Sequence, residues 1–151
     1  MIAVPNVPTE IIKGVMFRKI DPVNVDERGR VYRWCTGLQG KEISIFQRQE
    51  GVSFGNHYHR GSDPSRNPER FLLLQGMASF WAFNGLTNER VQNVVVEEFT
   101  EILVDKGILH GLKAMSDILF IEHRSTTFDQ NSQDMYLADT YESYIKEIKN
   151  K

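Results

Sequence analysis

Gly51-Val52-Ser53-Phe54-Gly55-Asn56-His57-Tyr58-His59, followed by Glu69 and Gly76 and later by Gly107-Ile108-Leu109-His110, is the part of this chain on which the fold turns. The spacing is Gly-x5-His-x-His-x9-Glu-x6-Gly and then Gly-x2-His. In a strand, side chains at i and i+2 share a face. His57 and His59 are therefore expected to project into one interior, where imidazoles beside a carboxylate suit a divalent metal. Glu69 stands just before the apolar run Phe71-Leu72-Leu73-Leu74, a poor place for an uncompensated charge, so something must balance it there. The chain has only four histidines, and three of them fall in this pattern.

Working outward, residues 15–125 consist of short runs rich in Val, Ile, Phe, Trp and Tyr, punctuated by Gly, Pro, Asn and Asp. The pattern predicts strands over 15–20, 30–35, 42–48, 55–59, 70–74, 77–83, 91–99, 101–104, 110–114 and 118–123. Asp26-Glu27-Arg28-Gly29, Asn84-Gly85 and Asp105-Lys106-Gly107 read as turns between them. So many short strands imply an all-β sandwich or barrel, which for this number means a jelly roll, a double-stranded β-helix. Residues 60–68 carry Pro64 and Pro68 and cannot form a central strand. They read as an inserted loop over the pocket mouth, either a lid or specificity element or a plain solvated connection. In the tail, Asp139 and Glu142 read as a capping box, and Tyr141, Tyr144, Ile145 and Ile148 recur at helical spacing, predicting a short amphipathic helix over 140–149.

At 151 residues and 40% hydrophobic content the chain suits one domain with a real core. A net charge of −2, with both signs scattered along the chain, excludes the dense positive field that nonspecific nucleic-acid binding needs. Cys35 is the single cysteine, so no internal disulfide framework exists and a reducing compartment is expected. The first nine residues lack the pattern of a signal peptide, and the apolar runs are far shorter than a membrane span. A soluble cytoplasmic protein is the expectation, with no nucleic-acid or membrane partner.

The two motifs resemble those of the cupin superfamily, whose first motif is Gly-x5-His-x-His with a following Glu and Gly and whose second centres on Gly-x2-His. Two departures stand out. The His59-to-Glu69 spacing is stretched by the inserted loop, and Asp105 and Ala114 occupy the places of the second motif's Pro and Asn. Within the superfamily, Gly55-Asn56-His57-Tyr58-His59 and Glu69-Arg70-Phe71 look like the metal-binding cupin domain at the C-terminus of capsular polysaccharide reductases, an epimerase acting on nucleotide-linked deoxysugars. Asp26-Glu27-Arg28-Gly29 is similar to the opening of RmlC-like nucleotide-sugar epimerases and ketoisomerases. The resemblance covers about residues 15–125.

A set of His57, His59, Glu69 and His110 offers mixed nitrogen and oxygen ligands for zinc, iron, manganese or nickel, with zinc the first choice. The alternative is a metal-free site in which the histidines move protons. Both resembled families do proton chemistry beside a ketone, which implies an isomerase or epimerase acting on a nucleotide-linked keto-deoxysugar in polysaccharide biosynthesis. An oxidative or hydrolytic metal cupin and a non-catalytic module binding a sugar or small acid are the competing readings. Glu122, His123 and Tyr32, in that order, are the candidate bases. If Met115-Ser116-Asp117 turns a hairpin, Glu122 lies opposite His110, and a turn one residue different places His123 there. Tyr32, Trp34, Phe54, Trp81 and Phe83 are candidates for stacking on the ligand, and Arg28, Arg33, Arg48, Arg70 and Lys113 for holding a phosphate or carboxylate. On a strand, Arg70 and Tyr58 point away from the face that carries Glu69 and His57. The resemblance also implies a homodimer paired through the barrel's edge, and residues 2–14 could cover a strand edge on the neighbour.

Overall fold

Two antiparallel sheets face each other in the computed structural model, which describes residues 7–151. The strands are β1 (Thr9–Ile12), β2 (Val15–Lys19), β3 (Asn24–Asp26), β4 (Gly29–Val31), β5 (Glu42–Arg48), β6 (Ser53–Tyr58), β7 (Glu69–Gln75), β8 (Ala78–Asn84), β9 (Glu89–Val96), β10 (Thr100–Val104), β11 (Ile108–Ala114), β12 (Ile118–Arg124) and β13 (Tyr136–Leu137). One sheet has the order β1-β2-β10-β7-β12-β5 and the other β13-β6-β11-β8-β9, while β3 and β4 form a separate hairpin. Helix α1 (Tyr141–Lys149) closes the chain. No helix among the described residues is long and apolar enough to cross a membrane.

Strict alternation drives this packing. In β8, Ala78, Phe80, Ala82 and Asn84 are buried while Ser79, Trp81 and Phe83 face outward. The inward rows meet Val15 and Phe17 of β2, Phe71 and Leu73 of β7, Val94 and Val96 of β9, and Ile102 and Val104 of β10 in one core. A second apolar cluster lies outside the smaller sheet, where Tyr141, Tyr144 and Ile145 of α1 pack on Tyr58. The helix thus buries its apolar stripe as expected, and Tyr58 faces it rather than the interior.

Three expectations need correction. Strands β11 and β12 do not form a hairpin: β11 pairs with β6 and β8, whereas β12 pairs with β5 and β7. The chain at 115–117 crosses from one sheet to the other, because both partners of each strand are already taken. Nor does the capping box form. Thr140 precedes the first helical residue, and its hydroxyl bonds the Leu137 carbonyl and the Tyr58 hydroxyl instead of helix N–H groups. The strand expected over 30–35 ends at Val31, and the chain then runs irregularly across the larger sheet. Within the 2–14 segment, Thr9–Ile12 pairs with β2 of its own chain, and residues 2–6 lie outside the described residues.

The pairing of β6 with β11 matters most for the site. His110 lies opposite His57, but Gly111 lies opposite Gly55, so Asn56 is an extra residue in β6. Gly55 and Asn56 both have positive φ, 84° and 55°, which Gly and Asn tolerate better than other residues. The bulge reverses the alternation, and Phe54 and His57, three apart, both face the interior.

Candidate functional site

His57 sits on β6, His59 just beyond its end, Glu69 at the start of β7 and His110 on β11. Each offers one ligand atom, and the four atoms lie within 4.8 Å of one another. All four anticipated ligands therefore meet. Glu69 Oε2 lies 2.9 Å from His59 Nε2 and 3.0 Å from His110 Nε2. The other ring nitrogens face carbonyls: His59 Nδ1 lies 2.6 Å from the Asp134 oxygen and His110 Nδ1 2.9 Å from the Ile108 oxygen. A carbonyl only accepts, so both Nδ1 atoms carry protons and donate. A neutral ring in that tautomer has its lone pair on Nε2, aimed here at a carboxylate oxygen that also only accepts. Acceptors converge on an acceptor, and the arrangement needs a cation between them, either protons on both rings or a metal ion.

Burial opposes the charge on Glu69, but hydrogen bonds and charge from His110 and His59 outweigh it and hold the carboxyl well below its usual range. Burial likewise works against charge on His59, and Glu69 overcomes it and raises the ring above its ordinary value. His57 differs. Burial and the neighbouring His110 push it down to about 3, and its ring has no hydrogen-bond partner among the described residues. It is a neutral imidazole with a free nitrogen.

The second carboxylate oxygen of Glu69 accepts from Arg66 Nη1 at 2.5 Å, and the same nitrogen lies 3.1 Å from Glu122 Oε2. Arg66 thus bridges two buried acids and supplies the balancing charge that the apolar start of β7 demands. Glu122 also takes Arg124 Nη1 at 3.2 Å. Burial and the charge of Glu69 nevertheless push Glu122 up to about 7, with Arg66 and Arg124 acting in the other direction. Around these groups lies a cavity of about 210 Å³ walled by Phe46, Phe54, Phe71, Leu112 and Phe120. Arg48 stands at its rim, its guanidinium 5.5 Å from the Phe46 ring centre and 5.6 Å from that of Phe54. Among the described residues Arg48 has no acidic partner, and it also lines an adjoining groove with Gln47, Gln49 and Gln75.

Of the three candidate bases only Glu122 reaches the cavity. His123, the next residue on β12, points to the opposite face, where it packs edge-on against Trp34 with ring centres 6.1 Å apart. Tyr32 stacks on Phe99 at 3.7 Å, beside Ile20 and Pro22 and away from the cavity. Among the aromatic candidates Phe54 lines the cavity, whereas the Trp34 indole N–H bonds Glu101 and Trp81 and Phe83 lie on the outer face of the smaller sheet. Among the cations Arg48 is in place, Arg28 pairs with Asp26, and Arg33, Arg70 and Lys113 are not part of the wall. Arg66 escaped the sequence reading because it sits in the aperiodic insertion, in a short 3-10 turn (Pro64–Arg66). Its one signal was the need for a positive partner near Glu69.

No protein-family model matches the chain, and no curated protein sequence does. Solved structures are similar. A 3,4-ketoisomerase from Helicobacter canadensis superposes with a TM-score of 0.69 at 12% identity, covering 87% of this chain and 97% of that one. A sugar 3,4-ketoisomerase from Thermoanaerobacterium thermosaccharolyticum, in complex with TDP, gives 0.70 at 12% identity over 91% of this chain and 98% of its own. The rmlC epimerase of Mycobacterium tuberculosis gives 0.67 at 16% identity, covering 87% and 72%. The fold is that of the cupin superfamily. More narrowly, the strands are arranged as in an RmlC-like cupin jelly roll, and one short helix, α1, follows them.

Proposed function

We propose that the chain is a metal-binding isomerase or epimerase that moves a proton beside the keto group of a nucleotide-linked deoxysugar, in polysaccharide biosynthesis. The observation that carries this reading is the meeting of two histidine Nε2 atoms on one Glu69 oxygen, with Glu122, pushed up to about 7 by burial and Glu69, in the same cavity. The similar folds of a 3,4-ketoisomerase and an epimerase, one seen with TDP and another with dTDP-4-keto-L-rhamnose, support it.

His57, His59, Glu69 and His110 would hold the ion, with zinc the first choice. The donor chemistry fits: two rings have Nδ1 tied to carbonyls and Nε2 turned to Glu69, and the His57 ring has no hydrogen-bond partner among the described residues. When bound, the ion supplies a Lewis acid for the substrate's carbonyl oxygen. Glu122, with a pKa near the working pH, takes the proton from the adjacent carbon and returns it. Arg66 holds Glu122 and Glu69 apart in a fixed geometry. The phenylalanine walls keep water from the reacting carbon, and Arg48, with no acidic partner among the described residues, binds the phosphate of the nucleotide. Ile43 and Ile45, 50% and 70% exposed on the outer face of β5, fit the proposed homodimer contact.

The test is solvent exchange. In deuterium oxide the wild type should incorporate deuterium at a carbon next to the keto group, His57→Ala should abolish this, and Glu122→Gln should slow it about 10²–10⁴-fold. Absence of deuterium from every nucleotide 4-keto sugar tried contradicts the reading.

A further inference from the structure

The insertion at 60–68 is fastened by a residue that no motif marks. Asp134 lies in an irregular stretch ahead of β13 and is only 3% exposed. Its carboxylate accepts the backbone N–H groups of Arg60 at 2.7 Å, Gly61 at 2.8 Å and Asp63 at 3.2 Å. Its backbone carbonyl is the group that takes the His59 Nδ1 proton at 2.6 Å. Asp63 in turn bonds Arg124 Nη2 at 2.6 Å and Thr126 Oγ1 at 2.8 Å, and its carboxylate takes the Ser65 N–H at 2.9 Å, one residue before Arg66. From the carboxylate of Asp134 to the guanidinium of Arg66 every link is a short hydrogen bond or a fixed turn.

We infer that Asp134 is a positioning residue that sets Arg66 between Glu69 and Glu122 while its main chain fixes the tautomer of His59. The insertion is accordingly a fixed wall of the cavity, not a swinging lid. A carboxylate taking three N–H groups in a buried place orders a loop that has no strand or helix of its own to do so. The inference rests on the proposed metal-binding isomerase reading for its zinc and kinetic consequences, and the cleavage measurement stands without it.

The test compares Asp134→Ala, Asp134→Asn, Arg66→Met and the double variant Asp134→Ala/Arg66→Met. Trypsin should cut after Arg60 or Arg66 about tenfold or more faster in the folded Asp134→Ala protein than in the wild type, with Asp134→Asn between them. Zinc affinity, measured by competition with a chromogenic chelator, should fall about tenfold or more in Asp134→Ala, as expected when a group orienting a ligand is disturbed. On a nucleotide 4-keto sugar, each single variant should lower kcat more than it changes KM, and the double variant should be no slower than the slower single one, because both remove the same contact. Multiplying effects, or unchanged cleavage and zinc affinity, would overturn the inference. If no sugar is turned over or the wild type takes up no zinc, the proposed function fails while the cleavage measurement still decides the role of Asp134. If Asp134→Ala does not fold, Asp134→Asn carries the same comparisons.

Discussion

Replacing Gly55 by Ala separates two costs that the structure keeps apart elsewhere. A Cβ on Gly55 would stand 2.9 Å from the Gly111 Cα and 3.1 Å from the His110 carbonyl oxygen, backbone atoms that no rotamer change can move aside. Gly51, with nearly the same φ of 83°, has nothing within 4 Å of the equivalent point. Gly51→Ala should thus show the conformational cost alone, about 1–2 kcal/mol for a side chain at positive φ. Gly55→Ala should add about 1–3 kcal/mol for forcing β6 from β11, the range found when a packed site is overfilled. In a chain of this length about 2–4 °C of melting temperature is lost per kcal/mol, so the two variants should melt several degrees apart. Urea unfolding in chelator, with the slope held as a check on two-state behaviour, measures the difference without interference from bound ions. Because His110 lies opposite His57 across this contact, zinc affinity should fall in Gly55→Ala and hold in Gly51→Ala. Equal destabilisation of the two variants would refute the argument that the bulge is a close approach built around a missing side chain.

Glu122→Gln should change how stability depends on pH. The folded protein keeps the Glu122 proton up to about pH 7, where an unhindered carboxyl releases it near 4.5. This contribution is full below pH 4.5 and lost as pH rises through 7, by at most about 3 kcal/mol. Unfolding curves at pH 5 and pH 8 should diverge in the wild type, and the divergence should shrink in Glu122→Gln; an unchanged difference contradicts the shift. Tyr141→Phe should cost about 1–3 kcal/mol, because it leaves the Gly85 N–H and the Gly107 carbonyl without the hydroxyl that serves both at 2.9 and 2.7 Å. Thermal melting would show it, and a change below about 0.5 kcal/mol, the usual size for a surface substitution, would argue that water replaces the hydroxyl.

The strand grammar was legible because it rests on local chemistry, and the meeting of Glu69 and His110 with the His57–His59 pair because their spacing resembles the cupin motifs. The period-2 alternation of β5 and β8 and the His-x-His pair speak for themselves. What stayed hidden depends on partners. Glu122 and His123 are neighbours on one strand, and only the sheet in which β12 lies decides which of them faces the cavity. That sheet could not be known while residues 115–117 passed for a hairpin turn. Arg66 and Asp134 sit in aperiodic segments, where hydrogen bonds made across the fold, not the local pattern, set the conformation. The bulge at Asn56 was spelled by Gly55-Asn56, yet its reversal of the inward face appears only when β6 is laid against β11.

Elemental analysis of the wild type and of Glu69→Gln, both purified without added metal and then titrated with zinc, asks most directly whether three imidazoles and a carboxylate form one cation site. The account predicts about one tightly held divalent ion per wild-type chain and a large loss of affinity in the variant, since a structural or catalytic ion of this type needs all its charged ligands. Wild-type protein that carries no ion and fails to take up zinc would contradict it, and would leave the histidines to move protons unaided.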